Sequence, residues 1–259
     1  MRGMMQGITQ GILGRFRWIV FSAVCAGVIA GAVMSMIHHL VMVPLIRQAE
    51  VYEAAAAFVT DAGSPAVASV AANSGHASAT HEHGAAEGHG PSYAERAVLT
   101  LLTDLLAGIG FALLLAAGLT VRGGQVSAGA GAAWGIAGFA AMSLAPAIGL
   151  PPELPGAEAA PLLARQVWWL ATAAATAAGL ALLAFGYRLA LAILGLVLIV
   201  LPHLLGAPHL PAHASPVPVE LTRLFVAAAM VTNLVFWLLL GLACVYFLRR
   251  FAPVGTTHP

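Results

Sequence analysis

Lysine is missing altogether from the 259 residues, and charged side chains of every kind make up only 8%. An ordinary soluble domain carries about a quarter. With 60% hydrophobic residues and a mean hydropathy of +0.91, a water-soluble fold is excluded. A chain this size cannot bury that much apolar surface against itself, so lipid must cover much of it. The net charge is only +1 and no basic run occurs, which removes nucleic acid as a partner. Cysteine is scarce too: Cys25 and Cys244 both lie in apolar stretches, where a thiol behaves as a small hydrophobe, so no disulfide framework is indicated. Absent as well are a phosphate-cradling G-x-x-x-x-G-K-[ST], a helical H-E-x-x-H and a serine nucleophile elbow. ATP hydrolysis by this chain alone is excluded, no resident cofactor is implied, and the chain is not expected to be an enzyme.

What is present is a series of apolar runs near the 20 residues that cross about 30 Å of hydrocarbon. Six stand out: Trp18 to Val41, Ala97 to Val121, Ala128 to Ile148, Gln166 to Gly186, Arg188 to Leu205 and Leu221 to Leu248. The fourth and fifth form one 40-residue stretch, about 60 Å as a single helix, so it should fold back at Gly186, Tyr187 and Arg188. The expected fold is an all-α integral membrane protein, a polytopic helical bundle of six spans, or five if the fifth is re-entrant. Its divisions are 1–53 (amino terminus and first transmembrane helix), 54–96 (external loop), 97–251 (helices two to six) and 252–259 (a tail).

Arginine placement orients the bundle. With the amino terminus inside, Arg2, Arg15, Arg17, Arg122, Arg188, Arg249 and Arg250 are cytoplasmic, and Arg47, Arg96, Arg165 and Arg223 are external. That bias satisfies the positive-inside rule and places both termini in the cytoplasm of a bacterial inner membrane. Every acid except the intramembrane Asp104 then faces outward, as do His76, His81, His83, His89, His203, His209 and His213. A cleaved leader ending near Ala32 is the competing view, but the apolar run continues through Met34, Met36 and Leu40, which favours a retained anchor.

Between Ala54 and Pro91 the chain is an Ala, Ser, Gly and His mixture that cannot bury enough to fold, so a flexible external loop is expected. Within it His81 and His83 flank Glu82, with His89 following. Imidazole is the commonest ligand for first-row divalent metals, and this loose spacing suits weak, exchangeable capture. A merely solvating loop is the bland alternative. His38 and His39 fall at the outer end of the first helix, where polar groups tend to line an ion path or simply meet interfacial water. Met34, His38 and Met42 share a face at i, i+4 spacing.

Asp104, about 10 Å below the outer boundary, needs a partner: a permeating metal, a proton, or a rim arginine such as Arg96. Two proline-broken strings, APAIGLPPELPG around Glu153 and PHLLGAPHLPAH with His203 and His209, offer further ligands near the interface, or serve only as anchoring turns. Convergence of His38, Glu153 and His203 in one vestibule is the expectation to test. Small residues at packing spacing, Ala23, Gly27 and Gly31, then Gly131 and Gly135, permit close helix contact within the chain and leave a homo-oligomer open.

Five strings carry a likeness: VPLIRQAEVYE at Val43 to Glu53, WGIAGFAAMSLAPAIGLPPELPG at Trp134 to Gly156, RQVWW at Arg165 to Trp169, LPHLLGAP at Leu201 to Pro208, and LVFW at Leu234 to Trp237. Through them nearly the whole chain resembles the CbtA family of proposed cobalt transporter subunits. The resemblance implies Co²⁺ as cargo, with Ni²⁺ or Zn²⁺ as neighbours in chemistry. It also implies a small His-rich membrane partner resembling CbtB, in uptake serving cobalamin synthesis. It brings no established ligand residues. The residues themselves also admit a non-transporting membrane metal-binding protein, a metallochaperone or sensor, and more remotely a membrane enzyme holding a catalytic metal on external histidines.

Overall fold

A computed structural model describes residues 2–63, 93–123, 127–154, 160–209 and 216–252, and every regular element among them is helical. The elements are α1 (Arg2–Ile37), α2 (Val43–Gly63), α3 (Tyr93–Arg122), α4 (Ala128–Phe139), α5 (Ala145–Gly149), α6 (Leu162–Phe185), α7 (Leu189–Leu205) and α8 (Val219–Arg250). Two π-helical turns, His38–Met42 and Ala140–Leu144, join α1 to α2 and α4 to α5. The expected all-α membrane bundle is therefore what forms.

Five stretches are long and apolar enough to cross a membrane: Leu13–Ala56, Ala94–Arg122, Ala128–Gly149, Leu162–Phe185 and Val219–Arg250. The remaining expected span, α7, has 17 residues, about 26 Å of helix, somewhat short of the hydrocarbon thickness. It folds back along α6 through the break at Gly186 to Arg188, where the fused run was expected to turn.

The π turns have a local cause. Each ends two residues before a proline, Pro44 or Pro146, whose ring would collide with the carbonyl four residues back and which has no N–H to donate. Widening the preceding turn relieves the collision: Val43 N–H bonds His38 O and Ala145 N–H bonds Ala140 O, each five residues back. The helix thus runs past Pro44 to Gly63, ten residues into the segment whose composition argued for an unstructured loop. VYEAAAAF explains this, because alanine is the best helix former. Residues 64–92 lie outside the described part.

Lipid offers no hydrophobic drive for helix association, so close backbone contact must supply it. Glycine makes that contact at three crossings. Gly27 and Gly31 of α1 meet α3 at Asp104, Gly108 and Ile109; Gly131 and Gly135 of α4 meet Gly241 and Trp237 of α8; Gly179 of α6 meets Gly195 of α7. The small-residue spacings therefore serve contacts within the chain. An inner core of Ala23, Ala26, Ala30, Ala112, Leu115, Leu240, Cys244 and Leu248 locks α1, α3 and α8 together. A second cluster, Met42, Leu45, Ala49, Leu154, Leu221 and Phe225, closes one end. At the opposite end Trp18 Nε1 donates to Leu248 O at 3.0 Å, and the Arg122 guanidinium lies over Phe185.

A Cβ added at Gly131 would fall 2.7 Å from Gly241 O, whereas one at Gly110 meets nothing within 4 Å. Gly131→Ala should therefore cost about 1–3 kcal/mol through overpacking, while Gly110→Ala should be neutral or stabilise by up to about 1 kcal/mol. Thermal unfolding in detergent reads both. Equal behaviour of the two variants would show that the crossing does not hold α4 to α8.

Candidate functional site

The π turn at His38 points the first imidazole at α3. Seven residues earlier, Gly31 lets the α3 backbone come so close that a Cβ there would lie 2.5 Å from Asp104 O. That approach brings a side chain as short as aspartate within reach of His38: Nδ1 and Asp104 Oδ2 are 2.9 Å apart. The pair is largely enclosed, with side-chain exposures of 27% for His38 and 11% for Asp104. Asp104 was expected to meet a metal, a proton or a rim arginine, and the partner is instead a histidine of the neighbouring helix. A carboxylate at this depth is too costly to leave unpaired, and His38 is what the glycine crossing delivers.

With Asp104 ionised, the Nδ1 of His38 carries the proton and its Nε2 is left to accept a cation. Carboxylate behind imidazole is the arrangement that orients metal-binding histidines and raises their basicity. His39 is held differently: its Nδ1 lies 2.8 Å from Ser35 O, so Nδ1 donates to a main-chain carbonyl. It lines a cavity of about 340 Å³ with Arg47, Glu50, Arg96 and Thr100. Met42 does not continue the face of His38; it is buried in the second cluster, with Leu45 and Phe225.

Of the other expected ligands, Glu153 and His203 each have a neighbour of their own. Glu153 Oε2 accepts a hydrogen bond from Arg165 Nη2 at 2.8 Å, an ion pair at the end where α5 gives way to α6. His203 packs edge-on against Trp168 with ring centroids 6.0 Å apart, and its Nδ1 is buried without a partner. Trp168 in turn donates from Nε1 to Pro202 O, 3.4 Å away, tying the ends of α6 and α7. His209 is exposed beyond Gly206, whose φ of +83° suits glycine. His81, His83 and His89 lie outside the described residues. His38 and Asp104 come together; Glu153 and His203 do not join them, and among the described residues no three His, Cys, Asp or Glu side chains form a group able to hold a metal.

A cavity of about 730 Å³ opens beside the second π turn, lined by Met142, Ser143, Gln166, Trp169, Met230 and Asn233 as well as the Glu153 and Arg165 pair. Ser143 Oγ donates to Asn233 Oδ1 at 3.3 Å, and Asn233 Nδ2 donates to Ala229 O at 2.9 Å. Sequence reading passed over these polar residues. Asn233, a lone amide inside the apolar run of α8, was the signal that could have found them.

Residues 16–249 match the family model described as "Probable cobalt transporter subunit (CbtA)". The chain belongs to the CbtA family. It is thus a multi-pass membrane protein of a family named for cobalt transport, and the resemblance seen in its proline-rich strings holds across the bundle. No curated protein and no solved structure matches it.

Asp104→Leu should strand the His38 imidazole in the bundle and lower stability by about 1–3 kcal/mol. The His38→Leu/Asp104→Leu double variant should lose less than the sum of the single changes, by about 0.5–3 kcal/mol. Thermal melting of the four proteins in one detergent completes the cycle, and strict additivity would rule out a working pair.

Proposed function

We propose that this CbtA-family chain is the membrane subunit through which a divalent cation, Co²⁺ foremost, enters the cell, and that His38 backed by Asp104 is the ligand it meets inside the bundle. The observation that carries this reading is the 2.9 Å contact between Nδ1 and Oδ2. With the proton on the ring nitrogen facing the carboxylate, Nε2 is left for the ion, while Asp104 balances part of the arriving charge. A single imidazole with one carboxylate behind it binds weakly, and weak binding lets cargo leave.

Sidedness follows from charge. The end of the bundle bearing His38, Asp104, Glu153, Arg165 and His203 faces outward, and the end bearing Arg15, Arg17, Arg122, Arg249 and Arg250 stays in the cytoplasm of a bacterial inner membrane, with both termini. External His81, His83 and His89 then form a capture arm that raises local metal concentration ahead of His38. A small His-rich membrane partner of the CbtB kind completes the system. Nickel and zinc are the competitors expected from imidazole chemistry.

Purified chain, with and without such a partner, should drive radiolabelled Co²⁺ into proteoliposomes. His38→Gln and Asp104→Asn should each slow uptake at limiting metal by about tenfold or more, with the folded fraction checked by gel filtration. Stoichiometric binding without uptake would instead favour the metallochaperone or sensor. Removing 75–90 should raise the metal concentration needed for half-maximal uptake, and an unchanged value takes the capture role away.

In single-cysteine versions of a chain with Cys25 and Cys244 replaced by alanine, an impermeant maleimide should label Tyr52→Cys from outside the cell and Gly123→Cys only after lysis. The reverse pattern inverts the orientation and removes import through His38.

A further inference from the structure

The two π turns resemble each other. Each ends two residues before a proline, and each joins a neighbouring helix through a polar contact: His38 to Asp104 of α3, Ser143 to Asn233 of α8. The first contact belongs to the reading above. The second borders the 730 Å³ cavity, whose volume far exceeds one ion and admits an ion with its water.

Three features of this cavity point to a cation. Hydroxyl and amide oxygens of Ser143 and Asn233 sit 3.3 Å apart on its wall within an otherwise apolar bundle, and polar groups at such depth mark ion paths. Met142 and Met230 add polarizable thioethers that suit borderline first-row metals. Finally, Glu153 is the one acid on the lining among the described residues, and Arg165 neutralises it at 2.8 Å. An arriving cation and the Arg165 guanidinium compete for one carboxylate.

We propose that this cavity is a second cation site, separate from the His38 and Asp104 pair, in which a partly hydrated divalent cation displaces Arg165 from Glu153 and is held through its waters by Ser143 and Asn233. The proposal rests on the reading that divalent cations enter this bundle. It adds a charge-swap step: with the ion absent, Glu153 and Arg165 cancel; with the ion present, Glu153 serves it, and Arg165 turns toward water, which its 30% side-chain exposure allows.

A purely structural clasp and a competing counter-ion differ in sign. The full chain, with His38, His76, His81, His83 and His89 replaced by glutamine, is placed in lipid nanodiscs and titrated with Co²⁺, a paramagnetic quencher. Emission of Trp169, which lines the cavity, is isolated by comparison with the Trp169→Phe protein. Arg165→Gln should tighten binding by roughly three- to tenfold as repulsion and competition disappear. Glu153→Gln should weaken it by about tenfold, and Asn233→Ala should weaken it less. If Arg165→Gln and Glu153→Gln shift binding in the same direction, or neither shifts it, the second site is overturned. Since His38 is already absent from this background, that failure leaves the uptake reading standing; loss of uptake in His38→Gln with cavity binding intact separates the two the other way.

Discussion

Everything placed around His38 and Asp104 depends on α1 and α3 touching backbone to backbone. In a hydrocarbon solvent two helices gain nothing by hiding leucine from lipid, so association must come from contacts that only small residues permit. Gly27 and Gly31 provide that approach against Asp104, Gly108 and Ile109. The carboxylate of Asp104 reaches only a short distance from its own backbone. Had α3 stood off by the thickness of a leucine, Asp104 and His38 could not meet, and each would be a separate polar liability. Packing and chemistry are therefore the same interaction seen at two scales.

Proline acts on the same elements in the opposite sense, by removing order from the ladder. Pro44 and Pro146 would each break a helix in water, yet here the backbone stays continuous because one wide turn absorbs the lost hydrogen bond and the ring's bulk. The membrane enforces this, since an unsatisfied peptide group facing lipid costs several kcal/mol. At each of these wide turns a polar side chain crosses to a neighbouring helix. His38 and Ser143 each lie on a wide turn, the one opposite Asp104 and the other opposite Asn233.

Much of the architecture was legible in the sequence because the bilayer imposes so few solutions. Run lengths gave five of the six expected spans, with α7 a shorter helix, Gly186 to Arg188 gave the turn between α6 and α7, and the four-residue glycine spacings marked two close-packing faces without saying which helix lies against them. Other features were hidden for identifiable reasons. The alanine tract after Tyr52 reads as low complexity by composition and as helix by propensity, and propensity prevailed as far as Gly63. The partner of Asp104 lies 66 residues away, and the spacing of residues along a chain holds no information about which helix lies opposite. Glu153 looked available because its counter-ion, Arg165, belongs to the next helix and had been read only as a marker of sidedness. Asn233 was overlooked inside an apolar run, although the expense of an amide there is itself a reason to look.

A wide turn also shifts phase. One residue added to a helix advances everything beyond it by about 100° of azimuth relative to an unbroken ladder. The stripe that α1 presents to its neighbours therefore does not run on into α2, and a helical wheel drawn across Val43 superimposes two faces that never coincide. Met42, in register with Met34 and His38 on paper, turns away to the cluster at Phe225 for this reason. One inserted residue thus lets a single rod address two sets of neighbours, α3 and the body of α8 along α1, then Leu154 and the start of α8 along α2.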